Sequence, residues 1–175
     1  MPNLKELDIR KIENYQSLKV LSRSKSIYKL DRRSEEEGLL KETIKDAEKN
    51  RTVIYELYHK ESNEVFGIIA LSASRLASKP ALLIDYFFIC LKYRNKIIEE
   101  NITYSSYLMA KAFEVGLFIQ SDIGLSNLIL YPTNSSQKLR KYYTDIHGFI
   151  VIKEKVLIQN KFKNETWLFL PLKTS

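Results

Sequence analysis

Apolar residues change their spacing several times along the chain, and each change marks an element. Between residues 34 and 49, Leu40, Ile44 and Ala47 recur at helical intervals behind Ser34 and the acids Glu35, Glu36 and Glu37. This predicts a helix capped by Ser34, with Glu37 in the capping-box position. The β-branched and aromatic runs Val53 to His59 and Val65 to Ser72, separated by the polar segment KESNE, predict an antiparallel hairpin. ALLIDYFFICL, residues 81–91, is nearly all apolar, as in a central strand covered on both faces. From Thr103 the helical period returns, with Leu108, Ala112, Val115 and Ile119 on one face of a helix reaching to Ser121. LSNLILYPT, 125–133, reads as a short strand stopped by Pro132. Asn134, with Gln137 three residues on, is placed to cap a helix whose apolar stripe is Leu139, Tyr142, Tyr143 and Ile146. Gly148 suits the left-handed residue that ends such a helix. Strands near 149–158 and 166–171 close the chain.

The order is then a basic helical part over 1–33, helix, hairpin, buried strand, helix, strand, helix and two final strands. It predicts an α/β (α+β mixed-sheet) fold: a central mixed sheet of about six to seven strands flanked by helices on both faces, with a right-handed parallel unit over 81–131. A chain of 175 residues fits a single domain over 1–175.

Composition narrows the function. With 45% hydrophobic and 28% charged residues the chain reads as globular rather than disordered. No run approaches the roughly 18 apolar residues of a membrane span, and the opening MPNLKELDIRK lacks the apolar core of a signal peptide. One cysteine, Cys90, cannot form an intrachain disulfide, which suits a cytoplasmic protein with Cys90 as a small buried hydrophobe. The net charge is +7, and residues 1–33 hold nine Lys/Arg against four acids. A field of that sign favours anionic partners, either a phosphate-bearing cosubstrate or nucleic acid, or else is solvated surface charge. Two histidines 88 positions apart give no metal-ligand spacing, so no metal is expected.

The stretch KLRKYYTDIHGFIVIKE places Tyr142 and Tyr143 a few residues before Gly148 and Phe149, and LIDYFFICLKYRN carries a buried strand into Tyr93 and Arg94. With the order of elements, these two motifs resemble the GNAT superfamily of acetyl-CoA-dependent N-acetyltransferases over roughly residues 35–172. The spacer between the tyrosine pair and Gly148 is slightly longer than is common in that family. The resemblance implies that backbone groups at the end of the central strand, from Phe87 through Phe88, Ile89, Cys90 and Leu91, hold the pantetheine arm. It implies that the following loop and helix start hold the pyrophosphate, where main-chain N–H groups and the helix dipole favour an anion. The loop here is RNKIIEENITYSSYL: it has no glycine, is about six residues longer than the family's loop (by the resemblance, with Thr103 and Ser105 in the glycine positions), and carries Glu99 and Glu100. Arg94, Lys96, Thr103, Ser105 and Ser106 are the side chains expected to compensate, with Asn134 as a further cosubstrate contact.

Acetyl transfer needs a neutral amine, a held thioester and a proton for the departing thiolate. The resemblance gives that proton to Tyr143, whereas stripe membership alone makes Tyr143 core. Asp85 is the candidate general base, if burial in the strand raises its pKa, and is otherwise hydrogen-bonded structure. Glu56 and His59 are expected as exposed strand residues, and His147 as a capping or surface residue.

The expected activity is therefore transfer of an acetyl group from acetyl-CoA to a primary amine in a ternary complex. A weaker resemblance, to GNAT-type toxins that acetylate charged transfer RNA, makes tRNA one candidate acceptor. The other reading is a GNAT-fold module without acetyl-CoA chemistry that binds nucleic acid or a protein partner, through basic stretches with interleaved aromatics such as SKSIYKLDRR. Oligomeric state, including a homodimer, stays open.

Overall fold

A computed structural model describes residues 3–132, 137–152 and 166–172. In chain order its elements are β1 (Leu7–Lys11), α1 (Gln16–Arg23), α2 (Arg33–Glu48), β2 (Val53–His59), β3 (Val65–Leu76), β4 (Lys79–Ile89), β5 (Ile97–Glu99), β6 (Ile102–Thr103), α3 (Tyr104–Ile123), β7 (Asn127–Leu130), α4 (Gln137–Lys141), β8 (Ile150–Val151) and β9 (Leu168–Pro171). Seven strands form one mixed sheet in the order β1-β2-β3-β4-β7-β9-β8, flanked by helices, and β5 and β6 form a separate two-stranded ribbon. The apolar run 81–91 therefore supplies the middle strand, and the last strand inserts between β7 and β8. None of the described helices is long and apolar enough to cross a membrane.

The chain divides into two compact units. The first comprises the chain up to Leu71 together with Tyr86–Lys111. β1 and β2 pair antiparallel from Leu7↔His59 to Lys11↔Tyr55, and β2 pairs with β3 from Val53↔Leu71 to Tyr58↔Val65. β1 falls inside the segment whose charges suggest helix. Its Leu7 is buried and Ile9 half-buried while Asp8 and Arg10 face out, so the period is two, not 3.6. The start of α2 also differs from expectation. A 3-10 turn at Leu30–Arg32 runs straight into it, so Arg32 takes the cap position without a side-chain bond and Ser34 lies within the first turn. Arg33 pairs with Glu37 and Arg32 with Glu35 across that turn, which supports helix two residues earlier than a cap at Ser34 would. Leu40, Ile44 and Ala47 form the buried face of α2, as their spacing predicts. Burying a side chain of leucine size contributes about 2 kcal/mol.

The second unit comprises Ser72–Asp85 and the chain from Ala112 onward. β4 pairs parallel with β7 from Ala81↔Asn127 to Ile84↔Leu130, and β7 pairs antiparallel with β9 from Asn127↔Pro171 to Leu130↔Leu168. Ala81, Ile129 and Trp167 make its core cluster, with Leu83, Tyr131 and Phe169 packed against it. After α4 the chain makes a π turn over Tyr142–Ile146 and then reaches Gly148, whose φ of +72° is the left-handed conformation its position predicts. The expected stripe does not survive that turn: Tyr143 is buried, Leu139 and Tyr142 are half-buried and Ile146 is 64% exposed. An i→i+5 turn rotates the residues after it by about one position relative to a 3.6-residue period. The expected strand at 149–158 is described over 149–152, where Ile150–Val151 is strand; residues 153–158 and the Asn134 cap lie outside the described residues.

Candidate active site

Among the described residues, β4 over Tyr86–Ile89 has one edge paired and one edge without a strand partner. Pairing with β7 stops at Ile84↔Leu130, whereas β4 runs on to Ile89. On the β3 side the Cys90 N–H donates to the Phe66 carbonyl at 2.9 Å. Strand alternation then turns the backbone groups of Phe88 toward β3 and those of Phe87 and Ile89 toward the other edge. The sequence placed the pantetheine-facing backbone in this stretch.

Arg94 closes part of that edge. Its Nε donates to the Ile89 carbonyl at 2.7 Å, and Nη1 and Nη2 donate to Glu36 Oε1 and Oε2 at 3.0 Å each. The guanidinium lies 5.1 Å from the Phe88 ring centroid. Glu36 is held in turn: its side chain accepts from the Lys29 N–H at 3.4 Å, and its carbonyl accepts from the Tyr86 hydroxyl at 3.3 Å. Arg94, expected to face the cosubstrate's phosphates, is thus engaged with a carboxylate 58 residues away. Nearby, the Tyr93 hydroxyl donates to Glu64, which also accepts from Lys92; these bonds hold the Glu64 carboxyl below its ordinary range.

The glycine-free loop folds on its own terms. A 3-10 turn at Leu91–Tyr93 leads to Asn95 at φ +60°, where asparagine tolerates the conformation glycine usually supplies. The additional residues form the β5–β6 ribbon, with Ile97 opposite Thr103. Glu99 accepts from the Leu4 N–H at 3.3 Å, and Lys96 is exposed. Thr103 caps α3: its Oγ1 accepts from the Ser106 N–H at 3.1 Å, while Ser106 Oγ accepts from the Thr103 N–H at 2.9 Å. Thr103 Oγ1 also shares a hydrogen bond with Ser105 Oγ at 3.0 Å. These hydroxyls, expected as phosphate contacts, build the cap, and the first-turn amides of Tyr104 and Ser105 lie at the positive end of a 20-residue helix.

Tyr143 and Asp85 belong to the second unit, whereas Phe88, Ile89, Cys90, Leu91, Arg94, Lys96, Thr103, Ser105 and Ser106 belong to the first. Tyr143 is 7% exposed on the π turn, with the ring of Phe149 at 6.0 Å and that of His147 at 6.3 Å. Its carbonyl accepts from the Phe149 N–H at 3.1 Å, so the turn fixes the tyrosine's backbone directly. Burial, and secondarily Tyr142, push its pKa above the ordinary phenol value. Asp85 is exposed, contrary to the burial expected for it, because its side chain sits at the outward register position between buried Ile84 and Tyr86. Cys90 is buried, as expected, and burial pushes its thiol up to about 12, so it stays protonated.

Glu56, read as an exposed strand residue, is not one, and His147, read as a capping or surface residue, takes the C-cap of the π turn and is half-buried. Glu56 is 2% exposed, opposite Arg10 across β1 and β2 and bonded to it at 2.6 Å. His147 packs edge-on against Tyr142 at 4.9 Å, its Nε2 is buried without a partner among the described residues, and burial lowers its pKa. A histidine held neutral in the fold stabilises it fully above the ordinary imidazole pKa and less as pH falls below it, because the unfolded chain binds the proton first. His147→Gln is expected to flatten the loss of thermal stability on acidification below about pH 6.5; an unchanged acid limb would remove His147 from that role.

No family model and no curated protein matches the sequence. Solved structures do. The crystal structure of AtaTR bound with acetyl-CoA is 17% identical with a TM-score of 0.71, covering 97% of this chain and 95% of that one. The chain has the GNAT fold. The KacTA–DNA complex is 18% identical with a TM-score of 0.69, covering 95% and 93%. An acetyltransferase from Streptococcus agalactiae is 16% identical with a TM-score of 0.59, covering 95% and 97%. In chain order β4 is followed by the loop Leu91–Thr103 and the start of α3.

Proposed function

We propose that the chain is a single acetyltransferase domain that moves an acetyl group from acetyl-CoA to a primary amine in a ternary complex. The observation that carries this is the edge of β4 over Tyr86–Ile89, which no described strand pairs on the β7 side, followed by a loop and a capped helix start. An unpaired strand edge offers the alternating N–H and C=O groups that an extended amide chain such as pantetheine needs. The Phe87 backbone and the Ile89 N–H hold the arm, and the Tyr104 and Ser105 amides with Lys96 receive the pyrophosphate. Tyr143 protonates the departing thiolate. Its raised pKa suits that role in a dry site, where the sulfur anion loses the same hydration and takes the proton more readily.

The acceptor is the amino group of a charged transfer RNA. Two observations favour it: the net charge of +7, and the likeness at a TM-score of 0.64 to AtaT complexed with acetyl-methionyl-tRNAfMet. Lys/Arg contacts to phosphate would supply most of the affinity for such a partner. The test is acetyl transfer from labelled acetyl-CoA to aminoacyl-tRNA, deacylated tRNA and small amines. Label on aminoacyl-tRNA alone is the expected result. Label on small amines with none on aminoacyl-tRNA would replace the acceptor while keeping the reaction, and label on neither would favour a binding module. Because Tyr143 keeps its proton to beyond pH 10, turnover is expected to rise with pH as the acceptor amine deprotonates and to show no descending limb below about pH 10.

A further inference from the structure

We propose that Glu36 and Arg94 are a positioning pair that sets how far along β4 the acyl arm can sit, and that Arg94 is not a phosphate contact; this rests on the acetyltransferase reading above. The argument starts from how fully the guanidinium is occupied. Nε is on the Ile89 carbonyl and both terminal nitrogens are on one carboxylate, with side chains only 20% and 14% exposed. A fork-to-fork pair of this kind is rigid as well as strong. Its net charge is zero, so the field it offers an approaching phosphate is that of a dipole rather than of a cation.

What the pair does follows from its third bond. The unpaired edge of β4 presents the Phe87 backbone and the Ile89 N–H and C=O, and Arg94 takes the last of these. The Ile89–Cys90 peptide is then pinned from both sides, since its N–H already donates to Phe66. An extended arm can pair at Phe87 and at the Ile89 N–H but cannot slide one step toward Cys90. Glu36 stands in the first turn of α2 and is anchored by Lys29 and Tyr86, so the same pair ties the peptide to the α1–α2 segment. Misplacing a reacting group by an ångström lowers turnover far more than binding.

The experiment is a double-mutant cycle with Glu36→Gln, Arg94→Gln and both, together with Arg94→Lys, measured as kcat and as KM for acetyl-CoA. Each single substitution is expected to lower kcat by about tenfold or more with KM within about threefold, and the double to be no worse than the poorer single. Arg94→Lys keeps the charge but loses the fork, so it is expected to behave like Arg94→Gln. Where a single variant leaves a buried unpaired charge and does not fold, the neutral double and Arg94→Lys carry the test. A KM raised about tenfold or more by Arg94→Gln and restored by Arg94→Lys, with Glu36→Gln unaffected, would make Arg94 a phosphate ligand and overturn the pair. Additive losses in the double would overturn it equally. A wild-type protein that neither binds acetyl-CoA nor turns over would overturn the acetyltransferase reading, and the pair's role with it.

Discussion

Tyr143→Phe is expected to lower acetyl transfer by about a hundredfold or more while leaving acetyl-CoA affinity within about threefold, because in the proposed reaction the hydroxyl acts on the leaving thiolate and not on the bound ground state. The ring itself is retained, so its packing against Phe149 and His147 and the thermal stability of the fold are expected to hold. The two functions of this side chain therefore separate in one variant. Retained turnover with unchanged affinity would return Tyr143 to the core, as its burial alone suggests. The π turn gives the local reason for singling out Tyr143 over Tyr142: the longer spacer before Gly148 is absorbed as an i→i+5 turn, a feature that concentrates at functional sites.

Gly67→Ala should be the most damaging small substitution for stability. A Cβ there would stand 2.7 Å from the Phe88 carbonyl oxygen and 2.6 Å from Ile89 Cδ1. The isoleucine can turn away, but the carbonyl belongs to the backbone of β4, and its retreat would part β3 from the strand that carries the candidate site. Such overpacking costs about 1–3 kcal/mol or more. In a chain of this size that corresponds to roughly 2–4 °C of Tm for each kcal/mol, readable by thermal or urea unfolding. Acetyl-CoA affinity is expected to fall with it, since the displaced residues are Phe88 and Ile89. A Gly67→Ala protein with unchanged Tm would mean that β3 and β4 lie further apart than described.

The parts of the fold that a single period governs were legible in the sequence. The α2 face of Leu40, Ile44 and Ala47, the β2–β3 hairpin and the middle strand follow from local spacing and stand where it put them. β1 was obscured because its outward positions are charged and its segment is short. Asp85 was misjudged for a related reason: a nearly unbroken apolar run implies two covered faces, yet a single polar position in it can mark the one place where a face opens. Spacing arguments assume 3.6 residues per turn, so the π turn and the loss of the Leu139 to Ile146 stripe lay beyond them. Partners distant in sequence were not readable at all. Nothing local to Arg94 points to Glu36, and nothing near Glu56 announces that Arg10 will cover it.

Calorimetric titration of the full chain with acetyl-CoA, with desulfo-CoA beside it to isolate the acyl end, tests the central claim most directly. Saturable binding with a Kd of about micromolar is the expected result, and it would mean that the unpaired edge of β4 and the glycine-free loop hold the cosubstrate. No heat and no thermal shift with either ligand at about millimolar concentration would contradict it, leaving a GNAT fold whose function is binding without acetyl transfer.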